Sequence, residues 1–553
     1  MMHATEWQMA KTQAVAANGM VSSKHPLASQ AGIEMLKRGG NAIDAAVATA
    51  FAVGVVEPWM NGLGGGGFLS IYLARTGQSF TVDFGMVAPE AAHPGMYVLE
   101  DGILDGLFPW RKTRDNEALY GYKAISVPGT VAGLALALRT FGSLDLPTVL
   151  QPAIRYAEEG FPIEWFATLQ ITLDAEILAK FPAAAGIFFK NGFPRKPADP
   201  PKVELLRQPP LALTLQRIAQ HGPGEFYQGE TARTIAREIQ AHGGILSEAD
   251  LARYAPILSE GSLESAYRDC RILTVPGLSG GPTLIQALDL LSGFDLGAYG
   301  PDSAAALHLL AEASRIAFAD RYHGMGASEA ATPWRTLLEP GRIERLRTGI
   351  ALDRAAAAAR PAALRPGGST THLSVIDRER NMVSLTQTLV SRFGSRVMIP
   401  EVGVLLNNGM FWFDPEPGKA NSIVGGRRPL SNMTPLLILK NGQPWISLGA
   451  SGGRRIIGAM IHMTSLLVDH GLDIQEAICA PRIDLSTGIL VADARLPDRT
   501  LARLTAMGHT VLPVEESIAP RSFSGPCGVM IDHESGTLRS GVDPFHPAAA
   551  IGY

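Results

Sequence analysis

The run Gly368-Ser369-Thr370-Thr371-His372-Leu373-Ser374-Val375-Ile376-Asp377, continued by Ser384-Leu385-Thr386-Gln387-Thr388-Leu389, decides how this chain is read. Leu373, Val375, Val383, Thr386 and Thr388 alternate with their neighbours, which predicts two strands separated by the polar turn Asp377-Arg378-Glu379-Arg380-Asn381. The approach to the hairpin is different in kind. Residues 352–368 hold five consecutive alanines, two prolines and a Gly-Gly pair, a flexible, low-complexity lead able to present a scissile bond. A cut before Thr370 would place a free amine beside that residue's own hydroxyl. A threonine hydroxyl is a poor nucleophile at neutral pH, and an α-amine with a pKa of about 7.7–8.0 is suited to act as its base. The bland alternative is a surface Thr-Thr pair opening a strand.

The composition admits a large buried core: 553 residues, 46% hydrophobic. A formal charge of −4, from 48 basic and 52 acidic residues, offers no basic surface, so nucleic acid is excluded as a partner. Cys270, Cys479 and Cys527 lie far apart and show no metal-ligand spacing, which fits small buried hydrophobes in a reducing compartment. Met1 to Gln30 contain no apolar run of secretory type, and Ala42–Val56, the most apolar stretch, is interrupted by Asp44. The expectation is a cytoplasmic protein without a membrane partner, with Ala42–Val56 a buried helix. Further helices are expected at Val131–Phe141, Ala304–Ala319 and Arg455–Asp469. Strands are expected at Phe68–Tyr72, Phe80–Phe84, Leu436–Leu439 and Trp445–Leu448, and a loop over 190–212.

Two motifs compete for chemistry. The run Gly64-Gly65-Gly66-Gly67 lacks both the Gly-Lys-Ser/Thr ending and the dinucleotide spacing, and reads as a close-packed turn into the strand Phe68–Tyr72. Gly449-Ala450-Ser451-Gly452-Gly453 satisfies G-x-S-x-G between a strand and a helix, so Ser451 is a candidate nucleophile of an α/β-hydrolase esterase. Asp532, His533, Asp543 and His546 are then its candidate partners.

The chain resembles the γ-glutamyltranspeptidase family of N-terminal-nucleophile (Ntn) hydrolases over nearly its whole length. The blocks are Gly39-Gly40-Asn41-Ala42-Ile43-Asp44-Ala45-Ala46, Gly62-Leu63-Gly64-Gly65-Gly66-Gly67-Phe68, Pro128-Gly129-Thr130-Val131-Ala132-Gly133, Ser279-Gly280-Gly281, the Thr pair, Asn407-Asn408, Arg428-Pro429-Leu430-Ser431 and Gly449-Ala450-Ser451-Gly452-Gly453, in register. The resemblance implies an α+β fold, a four-layer αββα sandwich made by two subunits of one self-cleaved precursor. The cut would fall between Ser369 and Thr370, giving a large subunit, 1–369, and a small one, 370–553, that stay associated, with a homodimer of such heterodimers as the candidate assembly. Thr370 would be nucleophile and base, Thr388 would orient it, and the amides of Gly452 and Gly453 would form an oxyanion hole. No metal or organic cofactor is required.

At the positions where the family recognises a glutamyl head group, this sequence departs. Gly85, in Asp83-Phe84-Gly85-Met86, stands where an arginine is usual; Val390 replaces an asparagine and Gly409 a glutamine. Met410-Phe411-Trp412-Phe413 is aromatic where acidic residues are usual, and only Ser431 of a Ser-Ser pair remains, with Asn432 beside it. A desolvated amino-acid zwitterion needs a partner for each charge. The reading is therefore an amidohydrolase for a small carboxylate-bearing amide, resembling the oxamate amidohydrolase branch, with Ser431, Asn432, Val390, Gly409, Trp412 and Arg428 around the substrate. The alternative is a true γ-glutamyl hydrolase or transpeptidase acting on glutathione-like substrates. Arg392, Arg396, Arg427, Arg428 and Arg454 are the candidate partners of a substrate carboxylate, although Arg428 and Arg454 also fit structural roles. His372 is read as a structural hydrogen-bonding residue.

Overall fold

The computed structural model describes residues 9–103, 108–356, 369–519 and 521–553. Most of the flexible lead expected over 352–369, residues 357–368, lies outside these. The predicted hairpin forms from strands Ser369–Ile376 and Met382–Val390, every residue of both being buried. Its turn closes through side chains: Asp377 Oδ1 accepts from the Asn381 amide at 2.9 Å, and Asn381 Nδ2 donates to Asp377 Oδ2 at 2.9 Å. The same Asp377 carboxylate accepts from the Ala42 amide at 2.9 Å, so the turn caps the helix that packs beneath the hairpin.

That helix, Ala42–Val56, has the predicted bounds. Asn41 and Asp44 form a capping box at its start, and apolar residues all round it mark a wholly buried helix. No helix among the described residues is long and apolar enough to cross a membrane.

Two seven-stranded antiparallel sheets face each other. One runs, in spatial order, Ile257–Glu260, Gln78–Phe84, Gly66–Leu73, Met382–Val390, Ser369–Ile376, Met20–Ser23 and Ala549–Gly552. The other runs Val15–Ala16, Leu538–Val542, Gly525–Ile531, Gln443–Ser451, Leu436–Lys440, Cys270–Thr274 and Leu263–Tyr267. The period-two alternation sorts side chains between layers. Leu373, Val375, Val383 and Leu385 join the helices Pro26–Lys37 and Ala42–Val56 in one outer core. Ile272, Ile438, Ile446 and Leu448 join the helices Gly281–Leu291, Ala304–Gly324 and Arg455–Val468 in the other. Leu273, Leu437, Leu439, Ile376 and Met382 fill the space between the sheets. There Ser384 Oγ donates to the Leu448 carbonyl at 2.9 Å and Ser447 Oγ to the Val383 carbonyl at 2.7 Å, tying the sheets together. The result is a four-layer αββα sandwich.

Expected elements are displaced at a few ends. The loop expected over 190–212 stops earlier, because Pro209 and Pro210 start the helix Pro209–His221, proline being suited to a first helical turn. The helix expected over 304–319 continues to Gly324 and so carries Arg321 inward. Gly64 and Gly65 pack as the close turn anticipated before the strand Gly66–Leu73: a Cβ on Gly65 would lie 2.3 Å from the Thr388 carbonyl oxygen, and one on Gly64 2.2 Å from that of Leu405. Cys270, Cys479 and Cys527 are unpaired; Cys479 is only partly buried.

Histidines in the core link stability to pH. His25 caps the helix Pro26–Lys37 by accepting the Leu27 amide on Nδ1 at 3.2 Å, which requires a neutral ring. Burial pushes this imidazole from 6.5 down to about 4. The unfolded chain therefore takes up the proton first, so the stability His25 supplies is complete above about pH 6.5 and is lost as pH falls towards 4. In thermal melts from pH 7 to 4, His25→Asn, which caps without titrating, is expected to flatten part of the acid decline; a decline identical to the parent's would refute this.

Candidate active site

The register of the hairpin changes at Thr370. Thr371 pairs with Gln387 and Ser369 with Val390, so Thr388 and Leu389 together stand opposite the single Thr370. This is a β-bulge, which frees local backbone from the ladder and redirects side chains. Leu389 turns to the helical core, while Thr388 faces Thr370 between the sheets. The bulge ends at Val390, whose φ of 85° is in the region that L-residues, β-branched ones above all, seldom occupy.

Two hydroxyls converge on one carbonyl. Thr370 Oγ1 donates to the Ser369 carbonyl oxygen at 2.8 Å, and Thr388 Oγ1 donates to the same oxygen. The Thr388 hydroxyl accepts from the Val390 amide at 2.7 Å, which turns its own proton towards Ser369. The two Oγ1 atoms are 3.4 Å apart. Ser369 is anchored in turn: its Oγ donates to the Trp59 carbonyl at 2.6 Å. Thr371 Oγ1, on the opposite face, donates to Glu57 Oε2 at 2.9 Å, and burial pushes the Glu57 carboxyl up to about 8.

A small cavity opens beside Thr370, lined by Val390, Trp412, Asn432, Met433, Gly453 and Ile456. Gly452 and Gly453 have φ of 135° and 63° and lead into the helix Arg455–Val468. A Cβ on Gly452 would lie 2.9 Å from Ser524 Cα. A glycine turn at a helix start offers backbone N–H groups and positive dipole to developing negative charge. Val390, Trp412 and Met433 also belong to an apolar cluster with Phe68, Met86 and Phe411.

Asn432 is held from the large N-terminal part of the chain. Arg321, fully buried, directs Nε and Nη2 to Asn432 Oδ1 at 3.2 and 3.1 Å, Nη1 to the Ser279 carbonyl at 2.9 Å and Nη2 to the Ser431 carbonyl. With its oxygen so occupied, the Asn432 amide presents Nδ2, a buried donor without a partner among the described residues. Burial lowers the Arg321 guanidinium to about 10. Sequence reasoning missed Arg321, Met433 and Ile456, because none lies in a motif.

Other expected site residues sit elsewhere. Gly409 is packed against Ser126 and Asn407 and does not line the cavity; Ser431 is buried, with its amide on the Leu278 carbonyl at 2.8 Å. Arg428 reaches Asp83 at 3.2 Å and the Ala255 carbonyl at 2.8 Å, beside the Tyr254 ring. Arg392 and Arg396 share Asp174, at 2.8 and 3.0 Å. Asn407 and Asn408 join backbone segments, Asn407 Nδ2 donating to the Gly64 and Ser126 carbonyls at 2.7 and 2.9 Å. His372 lies between Thr386 Oγ1 and Ser374 Oγ at 2.9 and 3.0 Å, with burial holding its pKa well below the usual range.

The Ser451 reading fails. Its sheet is antiparallel throughout, against the largely parallel sheet of that esterase fold, and Ser451 Oγ donates to the Gly525 carbonyl at 3.3 Å. Of the proposed partners, His546 lies 3.1 Å from Glu57, His533 is exposed on the Pro444 carbonyl, Asp543 pairs with Arg521 and Asp532 with Arg539.

A family model described as gamma-glutamyltranspeptidase matches residues 28–553. The acylase ACY 1 proenzyme of Pseudomonas sp. (strain V22) is 38% identical over 506 residues, 91% of this chain and 88% of the relative. The glutathione hydrolase proenzyme of Escherichia coli (strain K12) is 36% identical over 534 residues, 93% and 89% of the two chains. The crystal structure of cephalosporin acylase from Bacillus halodurans superimposes with a TM-score of 0.87 at 28% identity, covering 100% of this chain and 99% of that one.

Replacing Arg321 strips buried acceptors of their donors, at about 1–3 kcal/mol each. Arg321→Met is therefore expected to lower the unfolding free energy by at least about 3 kcal/mol, measured by denaturant titration; a change within about 0.5 kcal/mol, the range of an ordinary surface substitution, would contradict this account.

Proposed function

Because the chain belongs to the γ-glutamyltranspeptidase family, as an amide-bond hydrolase of self-processing type, we propose that it cuts itself between Ser369 and Thr370 and then works with Thr370 as an N-terminal nucleophile. The supporting observation is the pair of threonine hydroxyls on the Ser369 carbonyl, at a bulge ending in the strained Val390. In the precursor, Thr370 Oγ adds to the Ser369 carbonyl carbon, the C–N bond breaks, and the Thr370 nitrogen takes the proton. Water opens the resulting ester, leaving a Ser369 carboxylate and a free hydroxyl and amine on Thr370. Residues 1–369 and 370–553 remain associated, since the Met382–Val390 strand pairs with Gly66–Leu73, and Ser369–Ile376 with Met20–Ser23.

In the processed enzyme the α-amine takes the hydroxyl proton as Oγ attacks the substrate amide, and returns it to the departing amine. The acyl ester is then hydrolysed by water. Thr388 orients the nucleophile, and the amides of Gly452 and Gly453 stabilise the oxyanion.

We further infer a compact acyl group with an acceptor oxygen that meets Asn432 Nδ2, such as one carboxylate oxygen of an oxamate-like amide. Val390, Trp412, Met433 and Ile456 offer no partner to an α-ammonium group. A buried ammonium without a partner costs several kcal/mol, which disfavours γ-glutamyl compounds despite the glutathione hydrolase relatives.

On a denaturing gel the active protein should give two bands, the smaller sequencing from Thr370, and Thr370→Ala should remain one inactive chain. An active, uncut chain would defeat the proposal. Thr388→Val is expected to slow processing about 10²-fold, the usual effect of removing one oxyanion donor, with Thr388→Ser restoring most of it; equal processing by both variants would remove Thr388 from the mechanism. Rates on oxamate, simple acyl amides and γ-glutamyl anilides test the pocket: preference for the last would overturn the substrate reading alone.

A further inference from the structure

Far from the cavity beside Thr370, two buried histidines and a glutamate meet where the parts of the chain on either side of the scissile bond touch. His308 and Glu312 stand four residues apart on the helix Ala304–Gly324, on one face. His509 follows the helix Asp498–Ala506. One ligand atom from each of the three lies within 4.8 Å of the others. His308 and Glu312 are 0% and 2% exposed.

We propose that His308, Glu312 and His509 bind a divalent transition metal, zinc being the best match to the donor set. The hydrogen bonds fix which atoms are available. His308 Nε2 lies 2.7 Å from the Ala351 carbonyl oxygen, which can only accept, so the proton is on Nε2 and Nδ1 carries a lone pair. That lone pair faces His509 Nε2 at 2.8 Å. A metal-bound imidazole is typically held in this way, its second nitrogen donating to a carbonyl. Glu312 supplies the independent sign. Its Oε2 accepts from Arg315 Nε and Nη2 at 3.2 and 2.9 Å, whereas its buried Oε1 has no hydrogen-bond partner among the described residues. A bare buried carboxylate oxygen is costly, and a cation between it and the two rings would satisfy it.

Two imidazole nitrogens and a carboxylate oxygen suit zinc or its neighbours, whereas calcium and magnesium favour oxygen alone. Tetrahedral ligands at about 2.0–2.1 Å from zinc are about 3.3 Å apart, so the two nitrogens need to part by roughly half an ångström. His509 changes tautomer, its proton moving to Nδ1. Three protein ligands leave one position for water.

The location gives the site its role. Ala351, which holds His308, lies on the stretch leading to the scissile bond, and the Ala355 amide donates to the Met507 carbonyl at 2.7 Å, two residues from His509. A metal here clasps the end of the N-terminal part to the C-terminal part. It takes no part in the chemistry at Thr370, and its test is independent of that reading.

The test uses the full-length protein, dialysed against a chelator, given zinc or cobalt(II) and gel-filtered. The parent is expected to retain one metal per chain, to give the intense visible absorption of four-coordinate cobalt(II), and to melt at a higher temperature with zinc than without. Glu312→Gln and His509→Gln should each lose the retained metal, the cobalt spectrum and the zinc-dependent shift. Glu312→Gln preserves size and hydrogen-bonding shape, and decides the matter if His509→Gln fails to fold. A parent that retains no metal overturns the proposal, as does equal retention in parent and Glu312→Gln.

Discussion

The Ser369 carbonyl oxygen, shared by the hydroxyls of Thr370 and Thr388, is the contact around which this molecule is arranged. It forms where the hairpin register slips by one residue, two residues of the returning strand facing one. The register of Thr371 with Gln387 already sets Thr388 across from Thr370 on the same face, and the slip displaces Ser369 to Val390 just beyond them. The slip is held by long-range packing. The Gly64-Gly65-Gly66-Gly67 run admits the backbone at Thr388, and Trp59 receives the Ser369 hydroxyl. Val390 keeps an unfavourable φ at the end of the bulge, a local cost that the surrounding sandwich maintains.

The same sandwich sets the character of the cavity beside Thr370. Val390 and Phe68, on neighbouring strands of one sheet, meet Met86, Trp412 and Met433 from adjoining segments, so the surface next to Thr370 is apolar. Polarity enters through the Asn432 amide, aimed by Arg321 from a helix more than a hundred residues earlier in sequence. Charges in this neighbourhood are spent on architecture: Asp83 with Arg428, Asp174 with Arg392 and Arg396. An arginine near a motif is thus a weak guide to a ligand, because a guanidinium reaches far and its partner is chosen by the fold.

Much of this was legible from local pattern. Alternation gave the hairpin, a long apolar run interrupted by Asp44 gave the helix Ala42–Val56, and the turn Asp377–Asn381 marked where the chain reverses. Val390, Trp412 and Asn432 were found through their places beside motifs, and they line the cavity. Gly409 and Arg428 were expected there on the same grounds and are not, since neighbours in sequence on a short helical turn or a loop point in different directions. Arg321, Met433 and Ile456 had no local sign.

The sequence by itself determined the hairpin and most strands and helices, the Thr pair at the head of that hairpin, and the glycines that let backbone approach backbone. These depend on periodicity and on side-chain chemistry within a few residues. Only the tertiary structure decided that Ser451 faces a carbonyl instead of a histidine, that Arg321 holds Asn432, and that His308, Glu312 and His509 meet. Such pairings join residues far apart along the chain, and their geometry is set by how sheets and helices pack, which no local spacing encodes.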